Sequence, residues 1–143
     1  MATETSQWQR SMVARWGTAG AVYDLVVSAV FATPWTAALM LGGFAGLHRA
    51  LGLPGSPPSP PDAMTLMITS LFGTVVVMWS VGRWRRPEPL LIGIDTAGRA
   101  VFSTWFVWAL WQGQTPIFAM FLALELFWGA AQLRALLVER RAG

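Results

Sequence analysis

Two apolar runs decide the fold: PLLIGIDTAGRAVFSTWFVWALW at residues 89–111 and PIFAMFLALELFWGAAQLRALLV at residues 116–138. Each run is long enough to cross a hydrocarbon core as a helix, which takes about 20 residues. Only Gln112, Gly113, Gln114 and Thr115 separate the two runs, and Pro116 suits the first turn of the second helix. We therefore expect an antiparallel helical hairpin inside a membrane.

Two further apolar runs precede this hairpin, at about residues 19–46 and 64–82. The first would make a helix of about 42 Å, longer than a hydrocarbon core of about 30 Å. Pro34 near its middle removes a helical hydrogen bond. A tilted or bent helix fits this run, and so do two shorter pieces hinged at Thr33–Pro34. Residues 47–63 are rich in proline and form an outer loop, with Asp62 as the N-cap of the next helix.

The composition agrees with a membrane protein. Hydrophobic residues make up 55% of the 143 residues and charged residues only 12%, about half the charge of an ordinary soluble domain. These figures exclude a disordered chain and a typical soluble globule. The expected fold is all-α: an integral membrane four-helix bundle with the first helix kinked at Pro34. Residues 1–18 form an N-terminal segment, residues 19–138 the bundle, and residues 139–143 a polar tail.

The arginines predict the orientation in the membrane. Of ten basic residues, all arginine, eight lie in three clusters. The clusters are Arg10 and Arg15; Arg83, Arg85 and Arg86; and Arg134, Arg140 and Arg141. Because cytoplasmic loops carry the excess of arginine, this distribution places both termini of a multi-pass chain in the cytoplasm. Basic clusters at the ends of apolar runs are typical of topology signals, so no nucleic-acid partner is expected.

Four ionisable residues fall inside the predicted spans: Asp24, Asp95, Arg99 and Glu125. Such groups are costly in a membrane and need partners or a wet cavity. Arg99 and Glu125 lie about 15 Å and about 14 Å from opposite ends of the two hairpin helices, which puts both near the midplane. We therefore predict an Arg99–Glu125 ion pair.

Further polar residues extend this pair toward the cytoplasm. Asp95 precedes Arg99 by one helical turn, and Gln132 should reach the depth of Asp95. Since three acids face one arginine, either a carboxyl group is protonated or Arg83 or Arg15 reaches inward to Asp24. The network could hold the bundle in register, or it could form a site for a proton, an ion or a small ligand.

Other residues give weaker signals. Ala38, Gly42 and Gly46 form a small-residue stripe that favours close helix packing. His48, the single histidine, is interpreted as an interfacial residue. The chain has no cysteine, no metal-ligand spacing and no catalytic serine motif. The sequence therefore implies no catalytic residues, no metal and no cofactor.

Several segments carry a resemblance to small bacterial inner-membrane proteins of unassigned function. They are Tyr23-Asp24, residues 31–36 (FATPWT), residues 71–73 (LFG), Trp79-Ser80, residues 86–89 (RPEP), Asp95 with Arg99, Phe102-Ser103, and Glu125 with Gly129 and Gln132. In size and span count the chain is also similar to the DoxX-like four-helix membrane proteins. That second likeness is architectural, and it implies a role such as a small subunit of a quinone-linked oxidoreductase.

Three functions remain open from the sequence. The first is a non-enzymatic accessory or interaction subunit, with the lipid bilayer and either another membrane protein or a second copy of the chain as partners. The second is a small transporter or ligand-binding membrane protein that uses the Asp/Arg/Glu network. The third is a membrane subunit of a quinone-linked redox enzyme, with the quinone held among four tryptophans: Trp35, Trp79, Trp105 and Trp128.

Overall fold

A computed structural model describes residues 4–142, with side chains for residues 12–141. The described residues form five helices and no strand: α1 (Glu4–Ala29), α2 (Pro34–Ala50), α3 (Ala63–Arg85), α4 (Pro89–Trp111) and α5 (Ile117–Ala142). Residues 1–3 and 143, at the ends of the predicted N-terminal segment and tail, lie outside the described residues, as does the side chain of Arg10.

Three of the helices are long and apolar enough to cross a membrane, namely α3, α4 and α5. The pair α1 and α2 passes the same test only if the two helices count as one bent span. The chain is therefore an all-α protein with three candidate membrane-spanning helices and one broken pair.

The predicted first span is broken at residues 30–33, so the described part of the chain has five helices where the sequence predicted four. The axes of α1 and α2 meet at 90°. Pro34 has no N–H for the helix and disfavours helical geometry at the residue before it. Thr33 is extended accordingly, with φ −130° and ψ 148°, and its Oγ1 accepts a hydrogen bond of 3.3 Å from the N–H of Thr36. Proline therefore begins a new helix here.

The break rests against Gly73 in the middle of α3. A Cβ atom at Gly73 would lie 2.5 Å from the carbonyl carbon of Phe31 and 2.6 Å from its oxygen. The hydroxyl of Thr74 lies 3.4 Å from the carbonyl oxygen of Ala32. Only a residue without a side chain lets α3 approach the broken backbone this closely.

The proline-rich loop docks on the turn between α4 and α5. The N–H of Ser56 donates to the carbonyl oxygen of Gly113 at 2.8 Å. His48, predicted to be interfacial, is buried at the end of α2, and its Nδ1 lies 2.9 Å from the Oγ1 of Thr115. Asp62 caps α3 as predicted, accepting a hydrogen bond of 2.7 Å from the N–H of Thr65. The first two of these contacts join the C-terminal end of α2 to the turn between α4 and α5.

The helices are arranged around α1. Helix α1 packs against α3 and α5 and, less extensively, against α4. Helix α4 packs along α5, and α2 packs on α3. Helices α3 and α4 are consecutive in the chain, yet α3 packs mainly on α1 and α4 packs mainly on α5. Side chains bridge α3 and α4, as Phe72 and Phe102 do with ring centres 5.9 Å apart. A seam therefore runs between α3 and α4.

The bundle is apolar outside and polar inside. Leu71, Met78 and Leu126 are among the large apolar side chains that face outward. The largest fully buried side chains include Arg83 and Gln132. A small apolar cluster of Val13, Ile92 and Ala135 closes one end. This distribution is expected when the surroundings are lipid.

We predict that Gly73→Ala destabilises the protein by about 1–3 kcal/mol, because the added Cβ overpacks the contact with the Phe31 carbonyl group. Gly82→Ala in the same helix is the matched control, since a Cβ at Gly82 would have no atom within 4 Å. Helix propensity should make the control up to about 1 kcal/mol more stable. Unfolding of the purified protein in detergent measures both variants. Equal stability of the two variants would contradict the close approach.

Candidate functional site: a buried charged network at the end of a cavity

The site is a network of charged side chains from four helices. Asp24 comes from α1, Arg83 from α3, Asp95 and Arg99 from α4, and Glu125 from α5. Every carboxylate in this network bonds to at least one guanidinium. We call these five residues the charged network.

Arg83 bridges Asp24 and Asp95 across the seam. Its Nη2 donates to the Oδ2 of Asp24, and its Nη1 donates to the Oδ2 of Asp95 at 2.5 Å. The side chain is 0% exposed, and its Cζ lies 5.8 Å from the ring centre of Trp79, in the range of a cation–π contact. Arg83 lies in the last turn of α3, and its long side chain reaches back along the helix to the two carboxylates.

Arg99 joins α1, α4 and α5 through one guanidinium group. Its Nη2 donates to Asp24 Oδ2 at 2.6 Å, and its Nε donates to Asp95 Oδ2 at 3.1 Å. Its Nη1 donates to Glu125 Oε2 at 3.0 Å. All three nitrogens of Arg99 thus bond to carboxylates, which uses the fork geometry that distinguishes arginine from lysine.

Asp95 is the most completely bonded carboxylate. Besides both arginines, its Oδ2 accepts from Gln132 Nε2 at 3.0 Å, and its Oδ1 accepts from Trp79 Nε1 at 3.2 Å. Oδ2 thus accepts three bonds and Oδ1 accepts one, so of the about four lone-pair sites of a carboxylate only one, on Oδ1, stays unused. Asp95 is therefore the anchor of the network, because it accepts more hydrogen bonds than either of the other two carboxylates.

Asp24 and Glu125 are bonded less completely. In both residues one oxygen accepts from guanidinium groups, Asp24 Oδ2 and Glu125 Oε2. Among the described residues, no donor bonds to Asp24 Oδ1 or Glu125 Oε1. Both side chains line the cavity described below. The network consequently presents unused acceptor atoms to that cavity.

Two neutral features hold the network in place. Thr96 Oγ1 lies 3.2 Å from Gln132 Oε1, which leaves the amide nitrogen of Gln132 to face Asp95. Gly20 lets α1 approach, because a Cβ there would lie 2.6 Å from Gln132 Nε2. The same Cβ would lie 3.5 Å from Arg99 Nη2.

The structure brings together all five polar residues singled out from the sequence: Asp24, Asp95, Arg99, Glu125 and Gln132. The Arg99–Glu125 contact and the one-turn pairing of Asp95 with Arg99 are both present. Of the two arginines considered as partners of Asp24, Arg83 takes that place and Arg15 is exposed. Trp79 was not predicted as a network member. Trp79 precedes Pro87 of the α3–α4 turn by as many residues as Asp95 follows it, so the two side chains are at equal depth. This symmetry could have identified Trp79 as a partner of Asp95 from the sequence.

The small-residue stripe does not pack as expected within the described chain. A Cβ at Gly42 or Gly46 would have nothing within 4 Å, and Ala38 is only half-buried. The buried residues of α2 are Ala37, Ala45 and His48 instead. The bend before Pro34 turns α2 so that the stripe lies on an open face.

A cavity of about 880 Å³ extends from the charged network along the seam between α3 and α4. Its lining is mostly apolar and aromatic and comes from all five helices. Lining residues on α4 run from Ile94 to Ala109, which corresponds to about 20 Å of helix rise. Asp24, Asp95, Arg99 and Glu125 are the charged residues in the lining. The cavity is thus an elongated apolar volume with one charged end.

The four tryptophans suggested for a quinone do not converge. Trp79 and Trp105 line the cavity. Trp128 stacks on Tyr23 with ring centres 5.4 Å apart, and Trp35 on α2 is exposed. The structure therefore assembles two of these four rings at the cavity.

Comparison with protein-family models, with curated proteins and with solved structures finds no match to this chain. The functional interpretation therefore depends on the cavity and the charged network themselves.

We predict that Arg83→Met destabilises the protein by about 3–5 kcal/mol, because it leaves Asp24 and Asp95 with a buried excess of negative charge. Arg85→Met on the same helix is the control, since Arg85 is exposed. Adding Asp24→Asn to Arg83→Met should recover part of the lost stability. The coupling is measured by unfolding five proteins in detergent: the natural protein, Arg83→Met, Asp24→Asn, the double variant and the Arg85→Met control. A fully additive double variant would contradict the bridging role of Arg83.

Proposed function

We propose that this chain is a multi-pass membrane protein that binds an amphipathic small molecule in the cavity between α3 and α4. The observation that carries the proposal is the cavity of about 880 Å³ with the charged network at one end. Ligand sites typically measure about 300–1,000 Å³ and combine an apolar lining with a few polar groups. Four of the five residues of the charged network line this cavity, which supports a ligand site there.

The shape of the cavity favours a ligand with a long apolar body. The lining extends from Asp95 past Phe102 and Phe106 to Ala109 on α4, with Phe121 on α5 across from it. The charged residues occupy one end only. A ligand that fits would place its polar end at the charged network and its apolar body among the aromatic side chains.

The route of entry is proposed to be the lipid phase. Val75 on α3 and Trp105 on α4 both line the cavity, and both are 61% exposed. Phe72 and Ile94 likewise line the cavity and face outward. A residue that lines the cavity and is also exposed on the outside of the bundle lies at an opening of the cavity. The seam would therefore connect the cavity with the acyl chains of the bilayer.

The proposed setting is the bacterial inner membrane, with four crossings and both termini in the cytoplasm. The four crossings count α1 and α2 as one broken span. Support comes from the arginines in the α3–α4 turn and near both termini. Irregular backbone at membrane depth is tolerated where protein covers it or a cavity adjoins it, and Phe31 at the break lines the cavity.

A second candidate is a non-enzymatic accessory subunit that packs against another membrane protein or a second copy of the chain. The open face of α2 favours it, because Gly42 and Gly46 would let a partner helix approach closely. Purification from native membranes as a monomer without a co-purifying protein would contradict this candidate.

For the orientation, we expect a reporter fused after residue 143 to be cytoplasmic and a reporter inserted between Gly55 and Ser56 to be periplasmic. An alkaline phosphatase and a fluorescent protein at each position measure the two sides. Periplasmic activity of the C-terminal fusion would overturn the proposed orientation.

For the ligand site, we expect Gly98→Leu to weaken binding of radiolabelled dodecanol by about tenfold. Gly98 lines the cavity and has open space at its Cβ position. A leucine there displaces roughly two ligand methylene groups, each contributing about 0.8 kcal/mol. Equilibrium binding to the protein in phosphatidylcholine nanodiscs, with empty nanodiscs subtracted, is the measurement.

The control is Gly93→Leu, which adds the same side chain five residues earlier in α4, at a position with open space outside the cavity lining. It should bind dodecanol as the natural protein does. If the natural protein shows no saturable binding above empty nanodiscs, or if both variants bind equally, the proposed ligand site is wrong.

A further inference from the structure

The cavity wall carries an imbalance of charge. Asp24, Asp95 and Glu125 line the cavity together with a single guanidinium, that of Arg99. Arg83 lies behind this wall and is 0% exposed. With all three acids ionised, the charged network has three carboxylates and two guanidinium groups, and it carries one negative charge in excess.

Carboxylate oxygens supply most of the free hydrogen-bonding capacity at the cavity. Asp95 accepts four bonds, whereas Glu125 accepts one, on Oε2. Each nitrogen of Arg99 already donates to a carboxylate, so its remaining donors are the second N–H of Nη1 and the second N–H of Nη2. Because no donor among the described residues bonds to Asp24 Oδ1 or Glu125 Oε1, an arriving donor group finds acceptors that no other group uses.

This arrangement discriminates between ligand classes. An anionic group would face three carboxylates, and the one guanidinium in the cavity wall, that of Arg99, is already paired with them. A divalent metal ion does not fit, because within the described residues no group of three acidic or histidine side chains is placed to share one. A monovalent cation with hydrogen-bond donors would balance the charge and use the free acceptors.

Resting on the proposed function, we infer that the ligand is a lipophilic amine in its protonated form, with the ammonium group seated against Glu125 and the apolar body along the aromatic wall. Tyr23 lines the same end of the cavity, and its ring face adds an attractive surface for a cation. Glu125 is the counter-ion, because its side chain is the least completely bonded of the three acids and is held by a single contact to Arg99.

The first experiment compares three amphiphiles that share one tail: dodecylamine, dodecanol and dodecanoate. Each is radiolabelled and titrated at pH 7 onto the full chain in phosphatidylcholine nanodiscs, with empty nanodiscs subtracted. Dodecylamine is cationic at this pH, as a lysine side chain is. We expect it to bind at least about tenfold more tightly than dodecanol, which corresponds to about 1.4 kcal/mol, and dodecanoate to bind most weakly.

The second experiment asks whether Glu125 supplies the preference. Glu125→Gln keeps the shape and one acceptor oxygen but removes the charge. It should weaken dodecylamine binding by about tenfold and change dodecanol binding by less than about twofold. Glu139→Gln removes the same charge from the same helix outside the cavity lining, and both affinities should stay unchanged.

The outcomes separate this inference from the proposal on which it rests. Equal binding of dodecylamine and dodecanol, tighter binding of dodecanoate, or an unchanged preference in Glu125→Gln would overturn the amine and leave the cavity as a ligand site. Absence of saturable binding for all three amphiphiles would overturn the ligand site itself. The comparison among the three amphiphiles uses the natural protein, so it decides the question even if Glu125→Gln fails to fold.

Discussion

The ion pairs between Arg83, Arg99 and three carboxylates are the constraint on which the rest of the fold depends. In an apolar surrounding each of these charges alone would cost several kcal/mol, so none can be placed without its partners. Because the partners come from four helices, the network specifies which helices meet and at what depth. The apolar surfaces of these helices could not do this, since lipid tails are as good a contact as another apolar helix.

The hairpin and the depth of its charges could be predicted from the sequence. Helices joined by four residues must be antiparallel neighbours, and a constant rise per residue converts position into depth. Arg99 and Glu125 come together for this reason. Arg83 was harder to assign, because its backbone lies nearer the α3–α4 turn than the carboxylates do, and its long side chain covers the difference. Counting residues along a helix gives the depth of the backbone, but it does not show how far a long side chain extends from it.

The break in the first span shows a different limit. Pro34 allowed both a kinked helix and two helices, and local chemistry does not decide between them. The decision comes from α3, where Gly73 admits the bare backbone of Phe31. The resulting 90° bend also turned the stripe of Ala38, Gly42 and Gly46 away from the bundle. The cavity could not be foreseen either. It lies where α3 and α4 meet only through side chains, and a sequence pattern predicts contacts better than it predicts gaps.

The separation of Asp24 and Arg83 along the chain has a consequence for biosynthesis. The two residues are 59 positions apart, so α1 leaves the ribosome long before its cation is made. Until α3 arrives, an ionised Asp24 in the bilayer would have no guanidinium to meet. The nascent α1 must therefore wait at the membrane surface, or enter with Asp24 in its neutral acid form. Its final placement, and with it the bend before α2, is completed only when α3 and α4 deliver both arginines. The charged network thus sets the order in which this small bundle can assemble.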